Sequence, residues 1–113
     1  MRLNKIVEKL DLEIRCGASN LDTDVKRGYV SDLMSDVIAH SREGDLWVTL
    51  QIHINAVAVA AMRDLSAILI IGGREPAPQT IEKAEEENIP ILMSKLNAFE
   101  LVGRLYNLGI SGT

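Results

Sequence analysis

Apolar residues recur along the chain with two different periods, and the switches between them outline its elements. Leu3, Ile6, Val7 and Leu10 fall at three- and four-residue spacing, which predicts one apolar helix face over Leu3–Leu12 with charged residues opposite. Gly17 opens the polar stretch GASNLDTDVKRG, whose Gly, Asn and Asp content predicts a loop between two short extended pieces. Gly28-Tyr29-Val30 reads as a strand, followed by a short helix through Leu33, Met34, Val37 and Ile38 that ends near His40. Gly44-Asp45 is a turn and Leu46–Leu50 a strand; Asn55–Leu65 is a helix apolar nearly all round, so its sides should be covered. Ile68–Ile71 is a β-branched and Leu run of the kind buried on both faces of a parallel sheet, ended by Gly72-Gly73. Pro76 and Pro78 precede a helix over Gln79–Asn88; Pro90–Met93 is the next strand, and Ala98–Leu108 a final amphipathic helix stopped by Gly109.

Repeated strand-helix units predict an α/β fold: a single domain over 1–113, with a mostly parallel sheet of about four to six strands flanked by helices. With 47% hydrophobic and 25% charged residues, the chain has globular composition and lies far from the disordered regime. A net charge of −4 argues against a phosphate-backbone partner, and aromatics at 4% supply no stacking platforms, so nucleic acid is excluded as the expected partner. Cys16 is the only cysteine, which rules out an intramolecular disulfide and a multi-cysteine metal site and fits a reducing compartment. The opening MRLNKIVEKLDLEI has no apolar core of a signal peptide, and the longest apolar runs are too short for a bilayer. The cytoplasm is the expected location.

In open α/β sheets, ligands settle at the carboxyl ends of the strands. The residues to inspect are therefore Ser31 and Asp32, then Thr49, Gln51 and His53, then Gly72, Gly73, Arg74 and Glu75, and finally Ser94 and Lys95. In the Gly72-Gly73-Arg74 turn, the glycines let backbone approach a ligand while Arg74 offers a planar fork to phosphate or carboxylate. The plainer reading is a strand-ending turn in which Arg74 pairs with Glu75 or a neighbouring helix, since the full phosphate-loop pattern is missing. Gln51 and His53 leave their strand on one side of the chain, within reach of a small ligand, although a solvent-facing loop histidine is the simpler account of His53. His40, near a helix end, suits a dipole partner, and neither histidine has the spacing of a metal site.

Ser31-Asp32 and Ser35-Asp36 look like helix-capping pairs. A serine nucleophile at Ser31 or Ser94 would require His53 as an oriented base. Arg15 beside Cys16 could activate the thiol, with nothing else to support a redox centre. Glu85-Glu86-Glu87 reads as a solvated helix face. Trp47, Tyr29, Phe99 and Tyr106 are most simply core and edge packing, with a dimer face as the alternative; the apolar segment around Ala56–Met62 could also meet a second copy.

The segments LNKIVEKLDLEI, GYVSDLMSDVIAH, ILIIGGREP and TIEKAEEENIPILMSKLNAFELVGRLYNL together resemble the DRTGG-domain family. Members of that family stand alone, are fused to CBS domains or phosphotransacetylase, or occur in related form at the amino terminus of HPr kinase/phosphorylase. Ile71-Gly72-Gly73 stands where the family usually shows Thr-Gly-Gly, and Ser94 through Phe99 looks like its segment after the last strand. The family's Asp-Arg pair is absent from the TLQIH stretch, and Asn97 lies where an Asp is replaced. The resemblance implies an accessory, often homodimeric domain without catalytic residues. Stand-alone versions are similar to proteins encoded beside iron-only hydrogenase, ferredoxin and anti-sigma-type kinase components.

The expected function is thus a non-catalytic, homodimeric regulatory module without cofactor or metal. It would bind a small anionic metabolite or nucleotide around Thr49, Gln51, His53, Gly72, Gly73, Arg74 and Ser94. The alternatives are a ligand-free adaptor for a redox or kinase partner and a small hydrolase or transferase using Ser31 or Ser94 with His53.

Overall fold

A computed structural model describes residues 1–113. Helix α1 (Leu3–Leu10) leads to strand β1 (Glu13–Cys16), a single 3₁₀ turn at Ala18–Asn20, and β2 (Arg27–Val30). Then come α2 (Met34–His40), β3 (Asp45–Thr49), α3 (Asn55–Met62), β4 (Ala67–Ile70), α4 (Pro78–Glu87), β5 (Ile91–Met93) and α5 (Ala98–Asn107). The five strands form one sheet in the order β1-β5-β4-β3-β2. Strands β2 to β5 are parallel; β1 runs antiparallel to β5, with an irregular step between Ile14 and Cys16.

The continuous apolar strands exist because both faces of the sheet are covered. Leu46, Val48, Ala67, Leu69 and Leu92 point to one face, where they pack with Leu3 and Ile6 of α1 and Leu101 and Leu105 of α5. Trp47, Ile68, Ile70 and Ile91 point to the other and meet Val37 of α2, Ala56, Val57, Val59 and Ala60 of α3, and Ala84 of α4. Alternate residues along each strand therefore serve different helix layers, so no polar face is needed. The interior of α3 is apolar all round because α2 and α4 flank it while it sits on the sheet. Only its smaller outward residues and Met62 are exposed, which leaves little of α3 for a second copy.

Local backbone chemistry sets the ends of these elements. Asp11 closes α1 and Asn88 closes α4 in left-handed conformation, and Asp64 at φ 52° cuts α3 short of the expected Leu65. Pro78 occupies the first turn of α4, where its missing N–H costs nothing, and Asn97 caps α5 by accepting the Glu100 N–H at 3.1 Å. The segment between β1 and β2, residues 17–26, is tied to the first helix by Leu3 N–H to Thr23 O and Asn4 N–H to Leu21 O, both at 2.9 Å. No helix is long and apolar enough to cross a membrane.

Candidate functional site

The parallel strands end together on one rim, which runs from Ser94 at β5 through Gly72-Gly73 at β4 and Leu50-Gln51 at β3 to Asp32 after β2. Asp32 organises the last part of this rim. Its Oδ1 accepts the Thr49 hydroxyl at 2.9 Å and the Leu50 N–H at 2.7 Å, and its carbonyl accepts the Gln51 amide at 2.7 Å. Thr49 Oγ1 also accepts the Gln51 N–H at 3.1 Å. The Thr49 side chain is fully buried, so its hydroxyl works inside this clamp.

The capping expectation is therefore corrected. The residue at the N-cap of α2 is Leu33, which supplies no side-chain cap; Ser31 Oγ accepts the Leu33 N–H at 3.2 Å and Asp32 reaches across to β3. Asp36 is likewise engaged elsewhere, accepting the Tyr29 hydroxyl at 2.7 Å and lying 3.0 Å from His40 Nδ1. The Tyr29 bond holds the Asp36 carboxyl below the usual carboxylate range, and the same bond pushes the Tyr29 phenol up.

At the glycine turn, both residues take positive φ, 68° at Gly72 and 69° at Gly73, which explains the pair of glycines. Their N–H groups are not free to hold an anion. Gly72 donates to Leu96 O at 2.8 Å and Gly73 to Ser94 O at 2.9 Å, stitching the turn to the β5 exit. Ser94, itself buried, closes that exit by accepting the Leu96 N–H on its hydroxyl at 3.1 Å. What the turn presents outward is positive charge. Arg74 and Lys95 are exposed, and neither side chain makes a hydrogen bond or ion pair within the chain. A β-carbon on Gly73 would stand 3.9 Å from Lys95 Cγ, so the two cations flank one turn.

Glu75 does not pair with Arg74. It receives a two-pronged bond from Arg15 on β1, at 2.7 and 2.6 Å, which lowers the Glu75 carboxyl and raises the Arg15 guanidinium. His53 stands at the start of α3, where its Nδ1 accepts the Asn55 N–H at 3.2 Å. With Ser31, Ser94 and His53 each bonded to nearby backbone, neither serine is bonded to an imidazole, and no nucleophile-base pair is formed. Cys16 is buried against the Ile89 carbonyl at 3.5 Å, and burial pushes its thiol up, away from the reactive thiolate.

The largest hollow lies at the opposite end of the strands. It is an open polar bowl lined by Asp22, Asp24, Glu43 and Asp64 with Lys26, and Lys26 is paired with Glu43 at 3.8 Å. Its sign disfavours an anion, so size does not make it the phosphate site. Phe99 and Tyr106 are not core residues as expected: they are 91% and 67% exposed on the outer side of α5. Trp47 is fully buried, its indole N–H donated to Ser31 O at 2.8 Å.

A family model for the DRTGG domain matches residues 5–108. The chain belongs to the DRTGG-domain family. Among solved structures, this DRTGG domain is similar to the CBS and DRTGG domains of the regulatory region of Clostridium perfringens pyrophosphatase, complexed with the activator diadenosine tetraphosphate. The TM-score is 0.69 at 17% identity, a likeness of fold that covers 90% of this chain and 44% of the other. This DRTGG domain thus spans less than half the length of that regulatory region. No curated protein matches the sequence.

Neither the placing of Lys95 beside the Gly73-Arg74 turn nor the Asp32 clamp was legible as such. Lys95 was among the strand-end residues, but its place beside Gly73 depends on the β4-β5 pairing. Asp32 carried the local signature of a cap, and its true partner Thr49 is 17 residues away.

Proposed function

We propose that this DRTGG domain is a non-catalytic, homodimeric regulatory module of the cytoplasm that binds a small anionic metabolite, a nucleotide first among candidates, at the rim around the glycine turn. The observation that carries this reading is the unpaired Arg74 and Lys95 on either side of Gly72-Gly73. Two uncompensated cations on a rigid turn suit a polyphosphate, with Arg74 as the bidentate donor and Lys95 as the point charge. Gln51 and His53 lie along the same rim and offer polar contacts to a base or sugar, while Thr49 and Ser94 hold the loops in place from beneath. The nucleotide activator of the pyrophosphatase regulatory region supports this ligand class.

The test is thermal stabilisation of the chain by a panel of nucleotides, dinucleoside polyphosphates and phosphorylated metabolites. A ligand at a hundred times its Kd should stabilise by about 2.7 kcal/mol. Arg74→Ala and Lys95→Ala should each weaken that effect. Failure of every phosphorylated compound, or stabilisation that survives both substitutions, would remove the rim as an anion site.

A second reading, an adaptor that docks a redox or kinase partner without a ligand, is favoured by the exposed Phe99 and Tyr106. It calls for a rim that stays empty in the same screen and a heterologous protein bound through α5.

A further inference from the structure

The glycine turn is a bare saddle between two unlike neighbours. A β-carbon on Gly72 would stand 3.5 Å from Leu50 Cδ2, and one on Gly73 would stand 3.9 Å from Lys95 Cγ. Neither glycine raises a side chain between the apolar tip of β3 and the cations at β4 and β5. Leu50 is 37% exposed, Ile54 at the start of α3 36%, and Leu33 beyond β2 64%. From β5 to β2 the rim therefore runs from the unpaired Lys95 and Arg74, across bare backbone, to Leu50 and Leu33. At about 4.8 Å between neighbouring strands, this is a strip of about 14 Å, cationic at one end and apolar at the other.

The apolar end is held as firmly as the turn. Asp32 Oδ1 accepts the Leu50 N–H at 2.7 Å and Ser31 Oγ accepts the Leu33 N–H at 3.2 Å, so both leucines stand on fixed backbone. Gly72 and Gly73 are fixed by their bonds to Leu96 O and Ser94 O. The polar neighbours are partly spent: the Gln51 amide is donated to Asp32 O, and His53 Nδ1 accepts the Asn55 N–H. Exposed leucine surface is what this part of the rim offers to the body of a ligand.

We propose that this rim selects an amphiphilic anion, with a phosphate head on Arg74 and Lys95 and an apolar-faced body laid over Gly72 onto Leu50 and Leu33. This rests on the anion reading of the proposed function and adds what the ligand must carry besides charge. A purine meets the condition through its ring faces and an alkyl or acyl chain through its methylenes, so affinity follows the apolar area of the body. Asp32 keeps an exposed carboxylate beside Leu50, which disfavours a second negative charge at that end of the ligand. With a net charge of −4 on the chain, it also repels the surface of an anionic bilayer, so the amphiphile is a free molecule.

NMR titration of the full chain tests this, with a series that shares one head: inorganic phosphate, then ethyl, butyl and hexyl phosphate, followed through the amides of Leu50, Gly72 and Gly73. Full burial of a methylene is worth about fourfold in affinity; contact on an open surface yields about half that free energy, so each added methylene should tighten binding about twofold. AMP should likewise bind more tightly than ribose 5-phosphate. Leu33→Ser with Leu50→Ser should flatten the series while inorganic phosphate binds as before, and Arg74→Ala with Lys95→Ala should weaken every member. Affinity independent of chain length in the wild type, a result that needs no variant, overturns the amphiphile and leaves the anion site standing. A rise that survives the leucine substitutions does the same. Binding to phosphatidate vesicles without binding of free hexyl phosphate also overturns it, in favour of a membrane. If no phosphate, inorganic or alkyl, shifts these amides, the anion reading itself fails and this inference with it.

Discussion

Removing the Asp32 carboxylate should unfasten the rim between β2 and β3, and the structure sets the size of the effect. Asp32→Ala deletes two hydrogen bonds to one charged oxygen, from Thr49 Oγ1 at 2.9 Å and Leu50 N–H at 2.7 Å. A bond to a charged acceptor contributes about 1.5–3 kcal/mol when shielded from water. Asp32 is exposed, so solvent replaces part of what is lost, and Thr49 keeps its bond from the Gln51 N–H. The two together should therefore be worth about 2 kcal/mol. At roughly 2.1 cal/mol/K of unfolding entropy per residue, a loss of that size lowers Tm by about 8 °C in a chain of 113 residues. Asp32→Asn retains an acceptor oxygen and should cost less than half as much. The buried Trp47, whose indole is anchored to Ser31 O, provides the fluorescence signal for these melts. The cycle of Asp32→Ala, Thr49→Val and the double variant should give a coupling of about 1 kcal/mol. Strict additivity in that cycle, or equal melting temperatures for the Asn and Ala variants, would refute the clamp.

Gly17 sits at φ 81° with its would-be β-carbon 2.6 Å from the Pro90 Cα, so Gly17→Ala combines left-handed strain with a backbone clash. Its chemical-denaturation midpoint should reveal a loss of at least about 2 kcal/mol; a near-neutral result would show that the loop shifts freely. The Arg15-Glu75 pair should give stability a pH dependence. Arg15 lowers the folded-state pKa of Glu75, so the stabilisation is present above the unfolded glutamate pKa and is lost as pH falls through the lowered folded value. The Tm difference between wild type and Glu75→Gln should accordingly be small, because the site is exposed, and should vanish towards acid pH; a difference that grows on acidification contradicts the assignment.

Elements whose local pattern is dictated by burial were legible in the sequence. Ile68–Ile71 could be read as a strand covered on both faces because each face has its own helix layer, and α3 as a flanked helix for the same reason. The repeated strand-helix units also gave a mostly parallel sheet, but strand order and the one reversed strand are not encoded in a local period: the EIRC piece of β1 is a short mixed strand at a sheet edge, and only its pairing reveals that it is antiparallel to β5. Amphipathicity identified α5 but could not choose between its two apolar arcs. Leu101 and Leu105 face the sheet, and the aromatic Phe99 and Tyr106, which also read as packing residues, face outward. At the rim, the glycine turn and Arg74 stood out from residue type alone. That Arg74 is free depended on Glu75 finding Arg15, 60 residues away. The shortest polar side chains misled most, because serine and aspartate before a helix carry the same local signature whether they cap it or brace a neighbouring strand.

The rim and the α5 face are joined by one short piece of backbone, which makes their independence testable. Val30 lines the hollow beside Phe99, Ser31 holds the Trp47 indole through its carbonyl, and Asp32 clamps the tip of β3. On the proposed reading, a ligand at the rim that draws on the β3 loop would act through Asp32 on the backbone next to Val30. Linkage then requires that dimerisation change ligand affinity by the same factor as the ligand changes dimer affinity, typically about 5- to 150-fold. If the proposed dimer forms through α5, a nucleotide that stabilises the wild type should bind the Phe99→Ser, Tyr106→Ser variant, at concentrations where that variant is monomeric, with measurably different affinity. Asp32→Ala should bring the two affinities together by slackening the connection, while Arg74 and Lys95 remain in place. Equal affinities of the two forms with Asp32 intact would refute coupling between the rim and the proposed dimer contact.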